Sequence, residues 1–315
     1  MLAFANGAND VGKSVISLMH FEPSGGVSRR PLLWGGAFSG LGSIAAIIVS
    51  GRLLSSFTPR TILNTSFDTS FVLAVLIGAT LWVVAATLLR LPVSTTHAIL
   101  GAIMLQGILL FGVSSLAWNF LAVRVLLPLA GGPLAALVGI YLFDRITKRK
   151  PKVSTSESKW AGLSHWGSAA ATSLARGVND APKMAVLGAF FLTANSTESV
   201  WIPYSIVAVA VIIGSMVLGT RVALTLTRRA IPLDHQQRLK AGLTTAVLVS
   251  VGAFLGAPLS STHVHAGAVA GASGLKDSIR TTLRGMVLPW LVTLPAAGLL
   301  AAAAAILGPR IIALA

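Results

Sequence analysis

The stretch "ANGANDVGKSV" at residues 5–15 places Asn9, Asp10 and Lys13 in apolar surroundings, and "ARGVNDAPKMA" at residues 175–185 repeats the pattern. One polar cluster therefore occurs twice in the chain, which indicates an internal repeat. Four residues recur at a constant spacing of 170 positions: Gly7 and Gly177, Asn9 and Asn179, Asp10 and Asp180, Lys13 and Lys183.

The composition is that of a protein in a lipid bilayer. Of 315 residues, 54% are hydrophobic and only 10% charged, and the mean hydropathy is +0.81. Apolar runs reach the roughly 20 residues that a spanning helix needs and lack the alternation of a membrane β-barrel. We predict an all-α, polytopic membrane protein of about ten apolar helical segments. They lie near 1–19, 32–51, 70–89, 93–112, 117–143, 161–192, 200–227, 241–256, 258–274 and 283–307.

Several functional classes are excluded by the same residues. The net charge is +15, but Lys and Arg sit in short loops between apolar runs, so they indicate cytoplasmic loops and not nucleic-acid binding. The chain has no Cys, no nucleotide-binding Gly-rich loop and no metal-binding motif. The first apolar run lacks a basic n-region and does not match a cleavable signal peptide. We therefore expect no cofactor and no bound metal.

A second motif follows each polar cluster. "LPVSTTHAILGAI" at 91–103 aligns with "APLSSTHVHAGAV" at 257–269 at a spacing of 166 positions. The chain therefore divides into a first repeat at 1–143, a basic cytoplasmic linker at 144–160 and a second repeat at 161–315. Five crossings per half, an odd number, predict that the halves enter the membrane in opposite orientations, as in many secondary transporters.

Buried ionisable residues mark the functional region. Only nine acidic residues occur, and we place seven of them in loops or at the ends of spans, leaving Asp10 and Asp180 within spans. A charge at membrane depth costs roughly 2.5–3.5 kcal/mol on insertion scales, so such groups usually mark an ion or substrate path. The alternative is a structural ion pair between residues three positions apart, Asp10 with Lys13 and Asp180 with Lys183.

The second motifs predict broken or re-entrant helices near 92–112 and 258–274. Proline before a run of hydroxyls suits a chain break followed by a helix whose N-cap is Ser or Thr. Free backbone N–H groups and hydroxyls at such a start form an uncharged anion cradle; alternatively, the hydroxyls bond back to their own helix. His97 and His263 follow each run, as donors to an anion, as a proton relay or as packed residues that donate to a carbonyl.

The two motif pairs resemble the signatures of the inorganic phosphate transporter family. Its members carry Gly-Ala-Asn-Asp-Val-Ala-Asn-Ala in each half, followed by Pro-Val-Ser-Ser/Thr-Thr-His, and here "GANDVGKS", "PVSTTH", "GVNDAPKM" and "PLSSTH" occur in that order. The resemblance implies two inverted repeats around one substrate site and secondary uptake of phosphate coupled to sodium or protons. It implies oxyanion contacts from Ser94, Thr95, Thr96, Ser260, Ser261 and Thr262. It implies that the coupling cation is held, or the site organised, by Asn9, Asp10, Asn179 and Asp180.

Two departures from the family pattern concern charge. Lys13 and Lys183 stand where the signature has its second Asn. We hypothesise that they neutralise the bound anion and replace one or both sodium ions, which leaves proton coupling or passive exchange. Arg176 aligns with Asn6, stands where many relatives have His, and lies one turn before Asp180, with which it is placed to pair.

These observations favour a secondary active transporter that imports inorganic phosphate across the cytoplasmic membrane by ion-coupled alternating access. A sulfate or other oxyanion permease and an anion channel are the alternatives, and an enzyme is disfavoured because no activated nucleophile is present. A carboxylate that accepts the proton of hydrogen phosphate would select phosphate over sulfate. The expected partners are phosphate, a coupling cation (H⁺ or Na⁺) and lipid, without nucleic acid; a homo-oligomer is left open.

Overall fold

The prediction of an all-α protein is confirmed. The computed structural model describes residues 1–22, 26–146, 159–192, 200–228, 233–273 and 291–307, and these are mostly helical. The helices of the first half are α1 Leu2–Ser14, α2 Arg30–Val49, α3 Gly51–Ser56, α4 Pro59–Ile62, α5 Thr69–Leu88, α6 Thr95–Phe111, α7 Trp118–Phe120 and α8 Leu127–Ile146, with a π-helical segment Leu121–Leu126 before α8. Those of the second half are α9 Lys159–Leu192, α10 Trp201–Arg228, α11 His235–Leu255, α12 Ser261–Ala272 and α13 Leu291–Leu307.

Each predicted apolar segment overlaps a helix, and the differences in boundary have local causes. Helix α11 begins at residue 235, six residues before the predicted segment, because Asp234 and Gln237 form a capping box. Asp68 caps α5 by accepting from the Phe71 amide; the Ser70 hydroxyl and that amide lower the pKa of Asp68. The linker predicted at 144–160 and the start of the last segment, 283–290, lie largely or wholly outside the described residues.

The helices divide into an apolar outer set and a polar inner set. Five of the described helical segments are long and apolar enough to cross a membrane: Arg30–Val49, Thr69–Leu88, Trp118–Arg145, Trp201–Arg228 and His235–Leu255. Most of their outward side chains are apolar, as with Leu41, Leu127 and Val247, which suits contact with lipid. Helices α1 and α12, in contrast, are almost completely buried within the protein.

Glycines let the two halves interlock closely. Helix α1 packs on α10, and α9 packs on α2, so the first helix of each half lies against the second helix of the other. A methyl group on Gly7 would overlap the Val211 carbonyl, and one on Gly177 would overlap the Ser39 carbonyl. Backbone contact at this distance permits no side chain.

The same reciprocity extends to the helices of the second motifs. Gly101 of α6 lies against the Leu294 backbone of α13, and Gly267 of α12 lies against the Pro133 backbone of α8. Each half therefore packs its motif helix on the last helix of the other half. The opposite orientation of the halves in the membrane stays a prediction.

A proline inside α9 is accommodated by a serine from the first half. Pro182 has no N–H to donate to the carbonyl of Val178, four residues earlier. The Ser50 hydroxyl, at the end of α2, donates to that carbonyl at 2.9 Å. Helix α9 consequently passes through the proline with its freed backbone group satisfied.

We expect Gly7→Ala to lower the free energy of unfolding by roughly 1–3 kcal/mol, because the added methyl overpacks the α1–α10 contact. Gly139→Ala is the matched control, since a methyl on Gly139 of α8 meets no heavy atom within 4 Å. Thermal unfolding of the purified variants in detergent measures the difference. Equal unfolding temperatures for the two variants would contradict the interlocking role of Gly7.

Candidate functional site

The predicted helix starts in the second motifs are confirmed. Residues 91–94 and 257–260 are non-helical, and α6 and α12 begin directly after Ser94 and Ser260. Each serine is an N-cap: Ser94 accepts from the His97 amide at 3.3 Å, and Ser260 accepts from the His263 amide at 3.4 Å. The two caps thus repeat one local structure in both halves.

The two N-caps meet at the centre of the protein. The hydroxyl oxygens of Ser94 and Ser260 lie 2.9 Å apart. The imidazoles of His97 and His263 stack with ring centroids 4.4 Å apart, and each Nδ1 contacts the serine of its own cap, at 3.0 and 2.5 Å. In the described contacts each Nδ1 therefore meets a serine hydroxyl, whereas one of the roles considered from the sequence was donation to a backbone carbonyl.

The ammonium of Lys13 joins the two halves. It pairs with Asp10 on its own helix, as the spacing of three residues predicts. It also donates to the Val93 carbonyl, before α6, and to the Thr262 hydroxyl of the other half at 3.0 Å. The Lys13 Nζ is therefore held by a carboxylate, a carbonyl and a hydroxyl.

Lys183 of the second half makes the equivalent contacts, including one with a threonine of the first half. Its Nζ lies 3.3 Å from an Asp180 carboxylate oxygen, 3.0 Å from the Leu259 carbonyl and 2.9 Å from the Thr96 hydroxyl. Val93 and Leu259, like Thr96 and Thr262, are 166 positions apart, so both ammonium sites use equivalent oxygens. A structural ion pair alone does not require a hydroxyl from the other half.

The asparagines hold the non-helical segments against the polar clusters. The Asn9 amide donates to the Leu91 carbonyl at 3.0 Å, and its side-chain oxygen accepts from the Val93 amide at 3.0 Å. Asn179 donates to the Leu259 carbonyl at 2.9 Å. These bonds fix the segments before α6 and α12 to α1 and α9; whether Asn9 and Asn179 hold a coupling cation or organise the site stays a prediction.

The structure adds two residues to the site, Asn6 and Thr87, that the sequence analysis did not propose. Asn6, one turn before Asp10, donates to Asp10 at 2.8 Å and to Thr95 at 3.0 Å, and lies 3.5 Å from Asp180. Its position on the same helix face as Asp10 is the signal that identifies it. Thr87 accepts from Asn9 at 2.9 Å, a contact that no motif indicates.

Arg176 has a different partner from the one its position suggested. The described ion pair links its Nη1 to Asp10 of the first half at 3.7 Å and not to Asp180 on its own helix. Its Nε donates to the Ser14 hydroxyl at 2.6 Å. The α1–α9 interface brings these groups together because both helices turn their polar faces inward.

The site is buried, and its cationic side chains outnumber its carboxylates. Every predicted site residue is buried except His97, which is half-buried. The cations Lys13, Lys183 and Arg176 face two carboxylates, so one positive charge remains when all are ionised. Such a cluster is complementary to an anion.

Comparison with known proteins gives one consistent family. Residues 28–301 match the model of the phosphate transporter family. A Mycobacterium bovis protein named probable low-affinity inorganic phosphate transporter is 30% identical over 95% of this chain and 73% of its own length. A Rhizobium meliloti protein of the same name is 26% identical over 95% of this chain and 91% of its own length.

A solved structure has the same fold. It is titled the sodium-dependent phosphate transporter and has a TM-score of 0.73 to this chain. The likeness covers 98% of this chain and 96% of the other, at 20% sequence identity. It supports the helical architecture described above.

We expect Thr96→Val and Thr262→Val to destabilise the protein by similar amounts, about 1–3 kcal/mol each, because each leaves a buried ammonium one acceptor short. Thr227→Val is the control: the Thr227 hydroxyl donates to the Ala223 carbonyl of its own helix, at 2.8 Å, outside the site. Thermal unfolding of the three variants provides the comparison. A large effect at only one of the two site threonines would contradict their equivalence.

Proposed function

The chain belongs to the phosphate transporter family, and from that premise we propose that it imports inorganic phosphate across the cytoplasmic membrane by ion-coupled alternating access. It is a multi-pass membrane transporter and not an enzyme. The observation that carries the proposal is that the lysine of each half donates to a threonine of the other half: Lys13 to Thr262, and Lys183 to Thr96.

Alternating access explains why the cluster occurs twice. A carrier built from two repeats rocks one repeat against the other around a fixed site, and both repeats must contribute to that site. The contact between Ser94 and Ser260 and the stack of His97 on His263 lie where the repeats meet. The hydroxyls near this junction are the proposed oxyanion ligands: Ser94, Thr95, Thr96, Ser260, Ser261 and Thr262.

The carboxylates support phosphate over sulfate as the substrate. Hydrogen phosphate carries a proton that sulfate lacks, and an acceptor for it penalises sulfate by remaining unpaired. Both oxygens of Asp10 are engaged, one by Lys13 and the other by Asn6 and Thr95. One oxygen of Asp180 has only the 3.5 Å contact with Asn6 among the described residues, which makes Asp180 the better proton acceptor.

The contacts of Lys13 and Lys183 indicate which cation couples to transport. Carboxylate, carbonyl and hydroxyl oxygens are the ligands that hard cations take in proteins. In this chain an ammonium on a tether occupies each such set of oxygens. We propose that Lys13 and Lys183 substitute for bound sodium, so that transport proceeds by proton coupling or exchange, with His97 and His263 as the proton relay.

Uptake of radiolabelled phosphate into proteoliposomes tests the function, with sodium and pH gradients imposed separately and unlabelled sulfate as competitor. We expect uptake that follows the pH gradient, ignores sodium and resists sulfate. Loss of uptake in the presence of sulfate would indicate a broader oxyanion permease. Flux at channel rates without gradient coupling would indicate an anion channel.

Replacing the lysines tests their role as tethered cations. We expect Lys13→Asn and Lys183→Asn, which introduce the neutral residue of the signature motif, to create a saturable stimulation of phosphate uptake by sodium, because the emptied oxygen set accepts a free cation. Lys240→Asn is the control, since Lys240 also pairs with an aspartate, Asp144, but away from the site. Sodium-dependent uptake by the unaltered protein, or no sodium response in either variant, would contradict the proposal.

A further inference from the structure

Arg176 is almost completely buried, yet most of its hydrogen-bond donors have no acceptor among the described residues. Among the described residues it is the largest side chain that is fully buried, with only 1% of its surface exposed. Its Nε donates to Ser14, and its Nη1 lies 3.7 Å from Asp10, beyond hydrogen-bond distance. Neither terminal nitrogen has a hydrogen-bond acceptor among the residues that the structure describes.

A guanidinium in this state is expected to have a ligand. Arginine carries five N–H donors, and four of them are on the terminal nitrogens. Buried donors without acceptors cost free energy, so nearly all buried polar groups in proteins are hydrogen-bonded. The bond from Nε to Ser14 anchors one edge of the guanidinium, while the terminal donors have no acceptor among the described residues.

The repeat is broken at Arg176 and at the residue that holds it. With the spacing of 170 positions, Arg176 corresponds to Asn6, and Ser14 corresponds to Met184. The bond from Arg176 to Ser14 therefore has no equivalent in the other half, where the Asn6 side chain instead bonds Asp10 and Thr95. Both departures occur at one contact, which makes the pair of Arg176 and Ser14 a specific asymmetric feature of the site.

The excess charge of the site also resides on Arg176. Lys13 is paired with Asp10, and Lys183 is paired with Asp180, each on its own helix. Arg176 only shares Asp10, at a longer distance. An anion entering the cluster thus finds its strongest uncompensated attraction at this guanidinium.

We propose that the terminal nitrogens of Arg176 bind the transported oxyanion directly, as a bidentate pair of donors positioned by Ser14. The inference rests on the proposed function, since it takes phosphate as the ligand. Two parallel N–H donors match two oxygens of a tetrahedral anion, a geometry that a lysine ammonium does not reproduce. The hydroxyls of the two N-caps then supply neutral donors, and Arg176 supplies the charge.

Binding of radiolabelled inorganic phosphate to the purified protein in detergent tests this assignment. We expect Arg176→Gln to weaken phosphate binding by about tenfold or more, the loss typical of a hydrogen bond to a charged group. Arg176→Lys keeps the charge without the bidentate geometry and should retain part of the affinity. The control is Arg124→Gln, which removes the same charge from an exposed residue and should bind like the unaltered protein.

A purely structural role predicts a different pattern. In that case Arg176→Lys and Arg176→Gln would lower the unfolding temperature while the folded fraction bound phosphate with unchanged affinity, which would overturn the proposal. If Arg176→Gln does not fold, unchanged affinity in Arg176→Lys overturns it equally. Failure of the unaltered protein to bind phosphate would instead refute the proposed function, and this inference with it.

Discussion

Two buried ammonium groups, each held by oxygens from both halves of the chain, are the interaction on which the rest of the structure depends. A lysine at membrane depth is tolerated only when its charge is paired and its donors are satisfied. Lys13 and Lys183 meet this condition with one carboxylate, one carbonyl and one hydroxyl each. The hydroxyl comes from the opposite half, so neither half satisfies its own lysine.

This requirement explains the packing around the site. The carbonyls of Val93 and Leu259 are available because the chain leaves the helical conformation before Ser94 and Ser260. Asn9 and Asn179 hold those non-helical segments in place. The glycine contacts of α1 with α10 and of α9 with α2 bring the polar faces inward and leave apolar helices toward the lipid.

A lysine ammonium that is tethered to the protein affects transport differently from a free cation. It neutralises charge in the site without a binding equilibrium, but it cannot cross the membrane and so cannot transfer the energy of an ion gradient. In the proposed mechanism, accumulation of phosphate needs a mobile charge such as a proton, and the stacked imidazoles of His97 and His263 are the proposed relay. The terminal donors of Arg176, which have no acceptor among the described residues, are the proposed asymmetric ligand for the anion.

The sequence by itself determined the fold class, the approximate helices and most of the polar side chains that meet between the two halves, because apolar length, helix-start chemistry and internal repetition are local properties. The pairs Asp10 with Lys13 and Asp180 with Lys183 follow from a spacing of three residues. Only the tertiary structure decided that Lys13 reaches Thr262, that Arg176 contacts Asp10 and Ser14 in place of Asp180, and that Thr87 belongs to the site. Those contacts join residues about 80 to 250 positions apart, and their geometry depends on how closely the glycine faces of separate helices approach, which no local pattern specifies.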